Sequence, residues 1–198
     1  MRPSELALNA EDATQRLAAL QDELEHESDR AAVVLATAEL DEALRRLLLA
    51  FFLPPSATSK KYGFTLFGND EAAGTLSARI ELTYRLGLMP PWWQREAHLL
   101  RKIRNEFAHQ SIGYSFTSSP ARELVGQLEI PKKLMNTASK GAFPRNFWKK
   151  PKNHFTIAAM IVTTEVVTTH GNVQDGHLDR PKPCGRKVFF GADSEGLE

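Results

Sequence analysis

The residues best suited to chemistry lie in one stretch, RKIRNEFAHQ, at positions 101–110. In this stretch Arg104 is followed directly by Asn105, and His109 comes five positions after the arginine. A histidine can transfer protons, and an arginine can stabilise the charge of a pentavalent phosphate. These residue types are therefore the set required for RNA cleavage by attack of the ribose 2′-hydroxyl without a metal ion.

The spacing limits what a single helix can do with this stretch. Five residues turn an α-helix through about 500°, so Arg104 and His109 lie ~140° apart and do not share one ligand within one straight helix. His98, Asn105 and His109 fall on a common side instead. A second interpretation is structural, because the cations can solvate a surface and complement the helix dipole while His109 caps the last carbonyl groups. The residues alone leave both interpretations open.

A second candidate site is the segment from residue 131 to residue 153, which combines basic and aromatic side chains. It contains seven basic residues and no acidic ones, with Phe143, Phe147 and Trp148 among them. Lysines that follow phosphates and rings that stack on bases are typical of proteins that bind single-stranded RNA. The alternative is a basic loop whose aromatic rings plug the bundle. The candidate RNA-binding residues are Trp148, Lys132, Lys133, Lys140, Arg145, Lys149, Lys150 and Lys152.

The remaining histidines give little reason to expect a metal. His170 and His177 flank a polar stretch and, with a nearby aspartate, could bind one, but we favour the alternative that both are solvated. His26 and His154 lie at predicted helix ends, where capping or solvation is sufficient. The sequence has no glycine-rich phosphate loop, no cysteine pair, no His-x-x-x-His and no Gly-x-Ser-x-Gly. We therefore expect neither a metal nor a cofactor.

The composition is that of an ordinary globular protein, with 42% apolar and 25% charged residues among 198. The net charge of +1 hides an uneven distribution, since residues 1–59 carry five basic and eleven acidic side chains and residues 60–150 carry fifteen and seven. Such a middle can bind phosphates locally but is not typical of a protein that coats DNA. Only Cys184 is present, and no apolar run has the length of a signal peptide or a membrane span. We therefore expect a cytoplasmic protein.

Hydrophobic spacing predicts the helices that position these residues. The broadest apolar face lies in the second predicted helix, where apolar residues repeat at every seventh position after an N-cap at Ser28. We expect this helix to form the centre of the core. The predicted helices cover residues 4–26, 29–51, 75–87, 90–109, 121–128 and 155–169.

The last of these helices has an alternative, because its many β-branched residues favour a strand by propensity. Its apolar spacing and its length fit a buried helix better, and we predict a helix that Asn153 precedes as a cap. The sequence thus predicts an all-α fold, a single helical bundle of five or six helices with a broad apolar central helix. We divide it into a helical domain, residues 1–170, and a polar C-terminal tail, residues 171–198. The predicted core residues are Val33, Leu40, Leu44, Leu47, Ile80, Leu100, Ile103, Phe107 and Ile161.

Three blocks of the sequence, at residues 27–52, 66–88 and 95–110, resemble in this order the mannitol operon repressor (MltR) family of bacteria. The resemblance implies an all-helical bacterial cytoplasmic protein, named as a transcriptional regulator although its family lacks a recognisable helix-turn-helix. We therefore expect a regulator that acts through protein or RNA contacts, without autonomous sequence-specific reading of DNA.

Within the third block, Arg104, Asn105 and His109 also match the Arg, polar, three-residue, His pattern of the HEPN superfamily. HEPN domains are helical bundles, and many are endoribonucleases whose two motifs meet across a homodimer. This resemblance implies an alternative function, a metal-independent endoribonuclease that is a toxin or a defence effector. In it His109 acts as general acid or base, Arg104 holds the scissile phosphate and Asn105 orients one of them.

Overall fold

A computed structural model describes six α-helices and one short 3₁₀ turn, Phe147–Lys149. No strand occurs among the residues that it describes, and the predicted all-α class is confirmed. We number the helices α1 (Asp29–Phe51), α2 (Leu76–Arg85), α3 (Pro91–His109), α4 (Ala121–Gly126), α5 (Glu129–Thr137) and α6 (Pro151–Gln174). The described residues are 19, 22–56, 59–60, 65–68, 70–110, 113–137, 143 and 146–179.

Helix α1 is the central helix, as its apolar face predicts. Ser28 caps it, since the Ser28 hydroxyl accepts a hydrogen bond from the Ala31 amide at 3.2 Å. The helix ends where Pro54 and Pro55 follow. Its inward residues Leu40 and Leu44 are fully buried, and α1 packs along α6 over the most extensive contact in the bundle.

Helix α6 is a helix despite its β-branched residues. The Thr164 and Thr169 hydroxyls donate to the carbonyl groups four residues earlier, at 2.8 and 2.9 Å, which satisfies them inside the helix. The helix begins at Pro151, so Asn153 lies inside it and the cap predicted there is wrong. The core prediction of Ile161 is corrected as well: Ile161 is only partly buried, and the core position belongs to its neighbour Val162.

The end of α6 corrects the prediction that His170 is solvated. The helix continues to Gln174, so His170 lies on it and is buried rather than solvated, with 3% of its surface exposed. Val173 is also buried, whereas His177 is exposed. The division into a domain and a tail stays a prediction, because residues 180–198 lie outside the described part.

Most of the predicted first helix, residues 4–26, lies outside the described residues. Within its described part, residues 22–26 are helical. The remaining predicted core residues are all buried. None of the helices in the described ranges combines the length and apolar content needed to cross a bilayer.

Helix α2 is fixed to α1 by a partly buried ion pair. Arg79 Nη1 lies 2.6 Å from Asp41 Oδ1, and Arg79 Nε donates to the Ala73 carbonyl at 2.9 Å. Thr75 caps α2 as its position predicts, through a bond from the Ala78 amide.

Helix α5 extends into the first part of the basic segment, where the sequence predicts no helix. Its first amides, those of Glu129 and Ile130, donate to the carboxylate of Glu96 at 3.1 to 3.3 Å. Glu96 belongs to α3, is 1% exposed and also pairs with Arg95 at 2.8 Å. A residue from a distant part of the chain therefore caps this helix, and no local cap precedes it in the sequence.

Candidate functional site

The end of α3 carries Arg104, Asn105 and His109, the predicted catalytic residues. Arg104 and His109 are both exposed, and Arg104 Nη1 donates to Asn105 Oδ1 at 3.2 Å. Since α3 is one continuous helix from Pro91 to His109, the two exposed side chains stay ~140° apart around its axis. One copy of the chain therefore brings Arg104 together with Asn105 but not with His109.

Arg30 binds the carbonyl groups at this end of α3. Its guanidinium donates to the Phe107 carbonyl and, at 3.0 Å, to the Gln110 carbonyl. No hydrogen bond joins His109 to another residue in the described part of the chain, so the capping role predicted for His109 is corrected. The cation that complements the helix terminus comes from the first turn of α1.

The segment after α3 is also held by α1. The Phe116 amide donates to Asp29 Oδ2 at 3.0 Å, which places Asp29 and Arg30 side by side on the same end of the site. The Phe107 ring packs against those of Tyr114 and Phe116 at centroid distances of 5.0 and 4.9 Å. Sequence reasoning missed these two charged residues, although both lie in the first block of the family resemblance.

His98 belongs to a different contact. Its Nε2 lies 3.1 Å from Glu81 Oε1 on α2, and the Gln94 amide donates to the same oxygen at 2.9 Å. The hydrogen bond from His98, followed by that from Arg85, holds the pKa of Glu81 below its usual value. His98 therefore joins α2 to α3, and it is not part of the exposed end of α3.

Three cations of the basic segment contact other residues of the fold. Lys132 pairs with Glu129 at 2.9 Å and lowers the pKa of that carboxyl. The Lys133 ammonium lies 4.7 Å from the centre of a Trp92 ring. Lys152 donates to the backbone carbonyl groups of Glu25 and Glu27.

The other basic residues of the segment differ in accessibility. Lys149 and Lys150 are exposed, and no bond joins either side chain to another residue in the ranges that the structure describes. Lys140 and Arg145 lie outside these ranges. Binding of nucleic acid by this segment stays a prediction, which now rests on the two exposed lysines that have no partner among the described residues.

The aromatic residues of the segment contact one another. The rings of Phe143, Phe147 and Trp148 lie 4.7 to 4.9 Å apart between centroids, and each residue is partly buried. His154 Nε2 donates to the Trp148 carbonyl at 2.8 Å, and Asn153 donates to the Phe147 carbonyl at 2.8 Å. The cluster therefore fastens the 3₁₀ turn to the start of α6.

In the described part of the chain no three His, Cys, Asp or Glu side chains are grouped so that they could hold a metal ion.

The chain shares its helical-bundle fold with solved structures of other proteins. It is similar to a chain of the X-ray structure of the MtlR-HPr complex from Escherichia coli, with a TM-score of 0.58 and 21% identity over 80% of this chain and 98% of that chain. It is also similar to the possible transcriptional regulator YggD from Shigella flexneri, with a TM-score of 0.54 and 16% identity over 81% and 98%. At these identities the likeness concerns the fold.

A sequence match adds to this likeness. Over 99 residues the chain is 30% identical to the mannitol operon repressor of E. coli K12, and the match covers 50% of this chain and 51% of that protein. The repressor of E. coli O6:H1 matches with the same values. The chain thus spans about half the length of the curated relatives it matches, and no family model matches it. The predicted resemblance to the mannitol operon repressor family is confirmed, whereas the HEPN resemblance stays a prediction.

Proposed function

We propose that the protein is a bacterial cytoplasmic regulator of the MltR type that acts by binding a protein partner rather than by reading a DNA groove. The observation that carries this proposal is the fold likeness to a chain of the MtlR-HPr complex, which extends over 98% of that chain. The 30% identity to a mannitol operon repressor supports the regulatory role. The partner that we propose is HPr.

Trp92 is the candidate anchor for such a partner. It is 44% exposed at the start of α3. Its ring stacks on that of Trp93 with 3.9 Å between the ring centroids, and the Lys133 ammonium lies over the Trp92 ring. Tryptophan is enriched among the residues that contribute most to protein interfaces, because it buries a large rigid surface. A partner that covers Trp92 would bury this ring without a change in the bundle.

The test is a calorimetric titration of the chain with HPr from E. coli and with HPr from the organism of origin. We expect binding that Trp92→Ala weakens at least about tenfold, since such anchors contribute ~2 kcal/mol or more. Leu53→Ala is the matched control, because Leu53 is 46% exposed just after α1. Absence of binding to both HPr proteins would refute the proposed partner. A salt-resistant, sequence-specific complex with an operator duplex would refute the proposed mode of action.

A metal-independent endoribonuclease is the second candidate function, and the exposure of Arg104 and His109 favours it. A homodimer that joins the ends of two α3 helices would supply Arg104 from one copy and His109 from the other. Asn105, which already accepts a hydrogen bond from Arg104, would orient the guanidinium. His109 would then move the proton and Arg104 would stabilise the phosphate.

The nuclease assay separates this candidate from the first. Cleavage should survive EDTA, leave 2′,3′-cyclic phosphate ends and disappear in His109→Ala without a loss of thermal stability. Gln110→Ala, at the next exposed position, is the control and should cleave normally. A wild-type chain that cuts no RNA would refute the second candidate alone.

A further inference from the structure

A groove between α3 and α4 takes no part in the contacts that fix the end of α3. It is open to solvent and has a volume of about 290 Å³. Arg101 and Asn105 line it from α3, Glu123 lines it from α4, and Gln127 lines it from the position just after α4. Ligand pockets in proteins usually measure ~300–1,000 Å³, so this groove is at the lower limit of that range and has room only for a small molecule.

Arg101 is the unusual residue in this groove. Its Nε is buried and has no hydrogen-bond partner, and no ion pair joins the guanidinium to another residue in the described part of the chain. Buried N–H groups in folded proteins almost always have a partner. Lys102 lines the same groove and is likewise without an ion pair in the described residues. Two neighbouring cations therefore line the groove, and neither is paired with a carboxylate in the described residues.

The groove also carries acceptors. Glu106 and Glu123 each contribute a carboxylate, and Glu123 Oε1 accepts the Ser119 hydroxyl at 2.6 Å. A bare anion would meet these carboxylates as well as the cations, which would weaken its binding. A molecule that carries hydroxyl groups beside its anion would satisfy both kinds of group. We propose that this groove binds a small hydroxylated organic anion, with its phosphate or carboxylate on Arg101 and Lys102 and its hydroxyl groups toward Glu123 and Gln127.

The position of the groove gives such a ligand access to the end of α3. Asn105 lines the groove and also accepts the hydrogen bond from Arg104. A bound molecule therefore contacts the side chain that orients Arg104. This site is separate from Trp92, the proposed anchor for a protein partner, so it adds a small-molecule input to the proposed regulator.

The experiment uses calorimetry of the full chain with four three-carbon probes. Glycerol 3-phosphate and glycerate both carry hydroxyl groups and differ in the anion, so the tighter of the two identifies phosphate or carboxylate as the recognised group. Glycerol lacks the anion and propyl phosphate lacks the hydroxyl groups. We expect at least one hydroxylated anion to bind at least about tenfold more tightly than glycerol and than propyl phosphate.

The variants test which residues hold the anion. Arg101→Gln should weaken binding at least about tenfold, and Lys102→Gln, at an exposed position that folding does not require, should weaken it severalfold. Arg85→Gln removes the same charge from α2, outside the groove, and should leave the affinity within about twofold of wild type. Absence of binding by both hydroxylated anions at millimolar concentration would overturn the proposal. Unchanged affinity in both groove variants would overturn it too, since the anion would then bind elsewhere.

Discussion

The end of α3 and the basic segment both present clustered cations, but the two regions use them differently. At the end of α3, Arg104 and His109 lie at the surface, and Arg30 from α1 binds the carbonyl groups of this helix end in their place. The two exposed residues are thus not needed to cap this helix end. Their removal should change what the surface does and leave the fold intact.

In the basic segment most of the described cations make contacts that stabilise the fold. Lys132, Lys133 and Lys152 bind a carboxylate, an indole ring and backbone carbonyl groups, respectively. Among the described lysines of the segment, only Lys149 and Lys150 have no bond or ring contact to another described residue. A cluster of cations binds the carboxylate and backbone carbonyl groups around it unless other residues bind those groups instead. The comparison teaches that only in the second case does such a cluster indicate a binding surface.

The largest effect should come from the inner side of α3. Phe107 is fully buried, so Phe107→Ala should lower the free energy of unfolding by ~3–5 kcal/mol through lost packing and a cavity. His109→Ala, two positions away and exposed, should change it by less than about 0.5 kcal/mol. Urea unfolding of both variants measures the contrast. A similar loss in the two would show that His109 has a structural role.

The next effect should come from Arg30. Arg30→Met removes two charge-assisted hydrogen bonds to the end of α3 and should cost about 1.5–3 kcal/mol. The matched control is Arg104→Met, which loses only one bond to Asn105 at an exposed position and should cost less than about 0.5 kcal/mol. Thermal and urea unfolding test both. Equal costs would contradict the capping role of Arg30.

A smaller effect should separate the lysines of the basic segment. Lys152→Ala loses bonds to two carbonyl groups and should lower the free energy of unfolding by about 1 kcal/mol. Lys149→Ala combined with Lys150→Ala should leave stability unchanged and reduce the salt slope of single-stranded RNA binding by about 1.4, since each contact releases ~0.7 counterion. Fluorescence anisotropy of a labelled RNA over a range of salt measures the slope. Undetectable binding by the wild type at low salt would assign both lysines to plain surface.

The smallest effect concerns Lys132 and acid. The folded-state pKa of Glu129 is lowered from 4.5 by its hydrogen bond from Lys132, so the pair stabilises the fold above about pH 4.5 and loses this effect as the pH falls. The difference in melting temperature between wild type and Lys132→Met should therefore shrink below pH 4.5. Lys133→Met, whose ammonium lies on the Trp92 ring, should show a weaker dependence over the same range. Parallel behaviour of the two variants would contradict the assignment.

The elements that were predicted from the sequence are those with local signals. Helix α1 has its apolar repeat and its cap at Ser28, and α2 has a cap at Thr75, so each is specified within its own stretch of chain. Helix α5 was missed because its cap is Glu96, a residue 33 positions earlier that reaches it only in the folded bundle. The prediction that His170 is solvated is wrong because polar residues follow it in the sequence, while the packing of α6 extends past that point.

The same limit applies to the candidate sites. Residue types and spacing identify Arg104, Asn105 and His109, but the cation that binds this helix end is Arg30, 77 residues from its acceptor on Phe107. Likewise, composition marks the basic segment without telling which lysines are engaged. Contacts between distant parts of the chain decide accessibility, and one sequence read alone does not contain them.

The buried carboxylate of Glu96 has a consequence for the dynamics of the bundle. The first amides of a helix normally lack an acceptor within the helix and exchange their hydrogens with water rapidly. Those of Glu129 and Ile130 are bonded to a side chain that is 1% exposed, so their exchange requires α5 to separate from α3. Two adjacent, slowly exchanging amides at a helix start would thus report the opening of one helix pair, residue by residue, in an otherwise folded molecule.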